Sequence, residues 1–169
     1  MYQHGNDKRT VWLVIGLVAG LGIATLWPHE QAKAVATDRD AQFAMTTCQV
    51  GAIDTLEAVF VLDFLTGSLK GAVLNRTNNS FTNFFFRDLP QDFGTDPKKE
   101  AHYCIVTGLA QLAAAGNIPP ASSVVYVGEL TTGKIICYGF AFRESATPMA
   151  PQPLIPVARF PFREPDPGE

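Results

Sequence analysis

His102 and Cys104 put an imidazole and a thiol two residues apart, and in a strand that spacing places both side chains on one face. A thiol beside a base is the beginning of a nucleophile, and the same pair is half of a zinc site. The remainder of such a site is hard to find in the sequence. Zinc takes three or four protein ligands, and a cysteine nucleophile needs a base that a third group orients. The other two histidines, His4 and His29, flank an apolar run near the N-terminus. Asp63 is the further candidate for a small enzyme whose site is completed between subunits. The favoured expectation is a strand-edge histidine beside a buried thiol, with no catalytic, cofactor-binding or metal-ligating residue and no enzyme activity.

Cys48, Cys104 and Cys137 lie among apolar residues and share no CxxC spacing, so they read as three small buried hydrophobes rather than one disulfide and a spare thiol. Gly16-x-x-x-Gly20-x-Gly22 falls inside the apolar run and not between a strand and a helix, which removes a phosphate-binding loop. GxSxG and HExxH do not occur. Asn75-Arg-Thr77 and Asn78-Asn-Ser80 match the glycan-acceptor pattern and read as a polar hairpin loop. With 16 Asp and Glu against 13 Lys and Arg, and no basic block longer than Lys8-Arg9 or Lys98-Lys99, no nucleic-acid partner is expected.

A chain of 169 residues has room for one modest domain to position these groups. Residues 11–27, VWLVIGLVAGLGIATLW, carry no charge and would run about 25 Å as a helix. They are expected to form a transmembrane helix, with Trp27 at an interface. Lys8 and Arg9 would keep residues 1–10 in the cytoplasm and the domain outside it, a single-pass protein of the cytoplasmic membrane. The alternative is a secretory signal cleaved near Ala32-Lys33-Ala34 or Ala34-Val35-Ala36. Gly16 and Gly20 would let two such helices approach closely. Residues 28–41, small and charged, read as a spacer.

Beyond residue 42 the apolar period becomes two. Strands are expected at 43–50, 58–64, 69–74 and 81–87, then at 103–108, 123–129 and 135–142. The fold class is therefore all-β, an antiparallel meander of about seven strands in a domain of residues 42–144. Residues 109–115 read as a loop with two helical turns ended by Gly116. Residues 145–169, rich in proline, read as an extended or disordered tail.

The segments 43–87 and 103–142 match one another. Phe43, Met45 and Thr47 align with Tyr103, Ile105 and Thr107; Val59, Phe60, Val61 and Asp63 align with Val125, Tyr126, Val127 and Glu129. Thr66-Gly67 aligns with Thr132-Gly133, so two copies of one strand-loop-strand-turn-strand unit are expected. In each turn the glycine is either the left-handed residue after a type I turn or part of a two-residue Thr-Gly loop. Asp63 and Glu129 then read as turn-stabilising acceptors. Phe81, Phe84, Phe85 and Phe86 require cover on both faces of their strand; core burial is expected, with another subunit or a hydrophobic ligand as the alternative.

The stretch EAVFVLDFLTGSLKGAVLN, with SSVVYVGELTTGK further on, resembles a group of short membrane-anchored proteins of unknown function from planctomycete bacteria, over about residues 55–143. The resemblance implies an anchor and no assigned chemistry. Asp/Glu-x-x-Thr-Gly-Ser/Lys is also similar to the hairpin turn in quinoprotein-type β-propeller blades, although two such units are too few to close a ring of about four to eight blades. The expected function is a membrane-anchored binding or scaffolding β-domain with an unknown protein partner, self-associating to cover its strand edges. A secreted envelope or surface β-domain is the alternative.

Overall fold

The structure, a computed structural model, describes residues 6–26, 37–51, 56–95, 100–113 and 119–163. The chain divides into two units, residues 1–34 and 35–169. Trp27, His4, His29, both cleavage triplets, Lys98-Lys99 and Gly116 lie outside the described residues.

The first unit holds helix α1 (Asn6–Leu26). It starts ahead of the apolar run and takes in Asn6, Asp7, Lys8 and Arg9. Among the described residues no helix is long and apolar enough to cross a membrane. The transmembrane helix expected over 11–27 is thus unsupported by the fold. The apolar part of α1, residues 11–26, would extend about 24 Å against a hydrocarbon core of about 30 Å.

The second unit is mostly β and consists of two sheets. One has six strands in the order β1 (Thr37–Arg39), β2 (Phe43–Gln49), β3 (Glu57–Asp63), β4 (Ser68–Asn75), β5 (Ser80–Asp88) and β9 (Gln152–Pro153). The other has four, in the order β10 (Ile155–Pro161), β8 (Lys134–Gly139), β7 (Ser123–Glu129) and β6 (Tyr103–Leu109). Neighbours are antiparallel except β5 and β9, which run parallel.

β2 to β8 sit where period-two hydrophobicity puts them, because alternate side chains of a strand face opposite sides. The single seven-strand meander is corrected to ten strands in two sheets. β1 comes out of the expected spacer: Thr37 pairs with Thr46, and their hydroxyls lie 3.1 Å apart. β9 and β10 come out of the proline-rich tail. Proline lacks a donor for a sheet interior but is tolerated at an edge, which is where Pro153, Pro156 and Pro161 lie. Leu154 between them is fully buried.

Helix α2 (Leu89–Phe93) occupies a stretch that reads as breakers alone. Pro90 stands in its first turn, where a missing N–H costs nothing, and Gly94 caps its end. Residues 110–113 form no regular element, and 114–118 lie outside the described residues.

Alternation in β3 buries Ala58, Phe60 and Leu62. The facing sheet supplies Val125, Val127, Ile136 and Tyr138. Phe140, just past β8, packs its ring 5.2 Å from Phe60 and 4.9 Å from Phe85, joining the two layers. Each such aromatic contributes roughly 2–3 kcal/mol by burial.

The two hairpins share one register: Phe43 opposes Asp63 as Tyr103 opposes Glu129, and Asp63 opposes Ser68 as Glu129 opposes Lys134. They bury opposite faces. Tyr103, Ile105 and Thr107 are inside, whereas Phe43 and Met45 are exposed and Ala44, Thr46 and Cys48 are inside. Two similar ribbons stacked in the same sense must meet by the upper face of one and the lower face of the other.

Candidate functional site

His102 is exposed just ahead of β6, and Cys104 is exposed on the outer face of that strand. The expected buried thiol is thus corrected: the inward parity of β6 belongs to Tyr103 and Ile105. Cys104 lies across from Gly128, where an added Cβ would come within 2.8 Å of its sulfur. Cys48 is buried, Cys137 is half-buried, and all three cysteines are free. Burial pushes the Cys48 thiol up to about 12, against a smaller opposing effect of a hydrogen bond with Ser123. Burial also raises Cys137, partly offset by Tyr126. Thiols held protonated in this way are poor nucleophiles and ligands. Among the described residues no three of His, Cys, Asp or Glu group as metal ligands.

Asp63 lies in the other sheet from His102 and Cys104, bound into its own turn. Its Oδ1 accepts the N–H of Leu65 at 2.9 Å, and its Oδ2 accepts the Thr66 hydroxyl at 2.9 Å. The Thr66 hydroxyl, then the Leu65 N–H, hold its carboxyl below the usual range. Glu129 does the same work from inside. Its Oε1 accepts the N–H groups of Thr131 at 2.9 Å and His102 at 3.1 Å, and its Oε2 accepts the N–H of Thr132 at 2.6 Å. Burial pushes Glu129 up, but the N–H groups of Thr132 and Thr131 outweigh it and the carboxyl stays ionised below the usual range. Both loops have four residues between the paired ends, with Gly67 and Gly133 at φ 64° and 63° as the left-handed residue. That geometry is the type I turn with a following glycine, not the two-residue loop.

A second polar cluster escapes sequence reading. Arg87 on β5 donates from Nε to Asp92 Oδ2 at 2.6 Å and from Nη2 to Oδ1, while Tyr138 donates its hydroxyl to Oδ2 at 2.8 Å. Arg87 Nη1 also reaches the Leu154 carbonyl at 3.3 Å. Burial opposes ionisation of Asp92, yet Arg87 and Tyr138 hold it below the usual range, and burial together with the Asp92 contact drives the Tyr138 hydroxyl upward. The signal available was Arg87 and Asp92 five residues apart around Pro90, which looks like an ordinary loop until α2 closes it. The cluster ties β5, α2, β8 and the C-terminal segment together.

What remains open is apolar. On the outer face of the six-stranded sheet Phe43, Met45, Leu74, Phe81 and Phe86 are 43, 40, 42, 46 and 46 % exposed. Phe85 is buried and Phe84 half-buried; a register shift opposite Val73 and Leu74 lets Phe81 share the outer face with Phe84 and Phe86 although it has the parity of Phe85. On the other sheet a 290 Å³ groove is lined by Leu112, Pro120, Gly139, Phe140, Ile155 and Val157. No protein-family model, no curated protein and no solved structure matches this chain.

Proposed function

We propose that the chain is a tethered β-sandwich that works by contact, as a binding or scaffolding module, rather than by catalysis. One observation carries this reading: Asp63, Glu129, Arg87 and Asp92 are engaged in holding turns and corners, while a row of large apolar side chains on the outer sheet face stays open. The tether is the N-terminal unit, seated in the cytoplasmic membrane with its N-terminus inside. Support for it is the uncharged sequence 11–27 beside Lys8 and Arg9, and the exposure of Val11, Trp12, Leu13, Val14, Leu17 and Val18 around α1. A run this short suits a locally thinned bilayer.

The test uses the full chain with a photo-crosslinking residue at Phe86 and, separately, at the exposed turn residue Leu65. Protein adducts from position 86 and not from 65 are expected. Equal labelling at both, or none at 86, sinks the binding face. Retention in the membrane pellet at alkaline pH supports the tether, and release into the supernatant refutes it.

A further inference from the structure

We infer that the outer face of the six-stranded sheet seats a second copy of this chain, packed sheet against sheet about a two-fold axis. The inference rests on the binding-module reading and names its partner.

The described sheet edges are poor places for a second copy to join. β1 is three residues long, β9 is two and ends in Pro153, and β10 contains Pro156 and Pro161. Short strands and missing N–H donors block strand addition. β6, at the remaining edge, lies against β2 through the Thr107 hydroxyl, which donates to the Thr47 carbonyl at 2.7 Å. Association through strand edges, the expectation from sequence, gives way to association through a face.

That face is built in rows. Met45, Val61, Lys70 and Phe86 stand side by side across β2 to β5, and Thr47, Val59, Ala72 and Phe84 form the next row. Leu74 and Phe81 extend the apolar area beyond them. An exposed phenylalanine of this kind leaves about 90 Å² open, so the five most exposed side chains together present roughly 400 Å². A stable interface covers about 800 Å² per partner around such an apolar centre. The half-buried rows and the rim supply the difference.

Charge favours a copy of the same face over an unrelated apolar partner. Lys70 stands within the apolar rows. Asp38 lies at the end of its row beside Met45, and Asp63 and Asp88 lie in the adjoining row beside Phe43 and Ser68. The face therefore carries one cation inside and acids on its margins, and a two-fold axis running between Met45 and Val61 would set Lys70 of each copy over Asp38 of the other.

Sedimentation of the full chain in mild detergent reads the protein mass. A dimer at micromolar concentration is expected. Val61→Lys and Lys70→Glu should each weaken it about tenfold or more with unchanged far-ultraviolet dichroism. Val106→Lys, on the outer face of the other sheet, should leave it intact. A wild-type chain monomeric at about 100 μM overturns the inference. So does a dimer that survives both sheet substitutions, or one that Val106→Lys or Gly16→Ile breaks instead. If the chain is monomeric but position 86 still crosslinks to other protein, only the second copy is wrong. If position 86 crosslinks to nothing, the binding-module reading fails as well.

Discussion

Asp63 and Glu129 hold the same place in their hairpins, each capping a four-residue turn, yet Asp63 does so from the solvent side and Glu129 from inside the sandwich. The consequence is unequal dependence on the two carboxylates. Glu129→Ala leaves the N–H groups of His102, Thr131 and Thr132 without their acceptor in a partly buried setting, at a cost of about 1–3 kcal/mol. Asp63→Ala exposes its donors to water and should shift the urea midpoint far less. Equal shifts would show that the two turns are interchangeable.

Acid should unfold the sandwich through Glu129 and Asp92. Both carboxyls are held below their usual values in the fold, so their contribution is complete above the unfolded values of about 4 and is lost as pH falls through the folded ones. Glu129→Gln should flatten the stability profile below about pH 4 and lower the plateau above it. An acid limb unchanged by that substitution would place the titration elsewhere.

The strands were legible because half-buried ribbons write their burial into every second residue, as Ala58, Phe60 and Leu62 do. The repeated turn was legible for a related reason: a carboxylate, a Thr-Gly pair and a strand start are a local pattern. Which face of each ribbon goes inward was not, since Phe43 and Tyr103 occupy one register position and bury oppositely. That choice depends on how two layers stack. β10 was hidden for the opposite reason, its prolines signalling a chain without partners when an edge strand needs a donor only on alternate residues. Arg87 and Asp92 are close in sequence, but the Tyr138 hydroxyl that completes their cluster comes from β8, 46 residues beyond Asp92, and no local spacing announces that link.

Gly67→Ala should cost more than Gly133→Ala. Both positions have positive φ, a penalty of about 1–2 kcal/mol for an L side chain. At Gly67 the new Cβ would also lie 2.6 Å from the Pro90 ring, fixed in the first turn of α2. At Gly133 the new Cβ would lie equally near, 2.6 Å from the Cβ of Arg163, but there the exposed backbone of residues 162–163 can shift where the ring of Pro90 cannot. Thermal unfolding of the two variants orders them, and a larger loss at Gly133 would mean that Arg163 is held more firmly than Pro90.

Tyr103→Phe should stabilise the protein. The ring is buried against Phe93 at 5.9 Å, and its hydroxyl, though near the Thr95 side chain, makes no hydrogen bond of good geometry among the described residues. Removing an unpaired buried hydroxyl while keeping the ring gains about 1 kcal/mol. A loss of that size in a denaturant titration would reveal a partner for the hydroxyl in solution.

Ending the chain after residue 144 should unfold the domain rather than trim a tail. The removed segment contains Leu154, fully buried, whose loss alone costs about 2–5 kcal/mol. It also supplies the carbonyl of Ser145 to the Asn75 amide at 2.7 Å and the N–H of Met149 to the Thr82 carbonyl at 2.7 Å. Without β10, the Ile135 to Tyr138 stretch of β8 loses its neighbour and becomes a long apolar edge, which invites aggregation. Leu154→Ala in the full chain separates the two effects, because it removes the buried anchor and leaves the edge covered. It should lower the urea midpoint and keep the chain soluble, whereas the truncation should precipitate. A truncated chain that stays soluble with a cooperative transition would show that the two sheets hold together without their C-terminal strands.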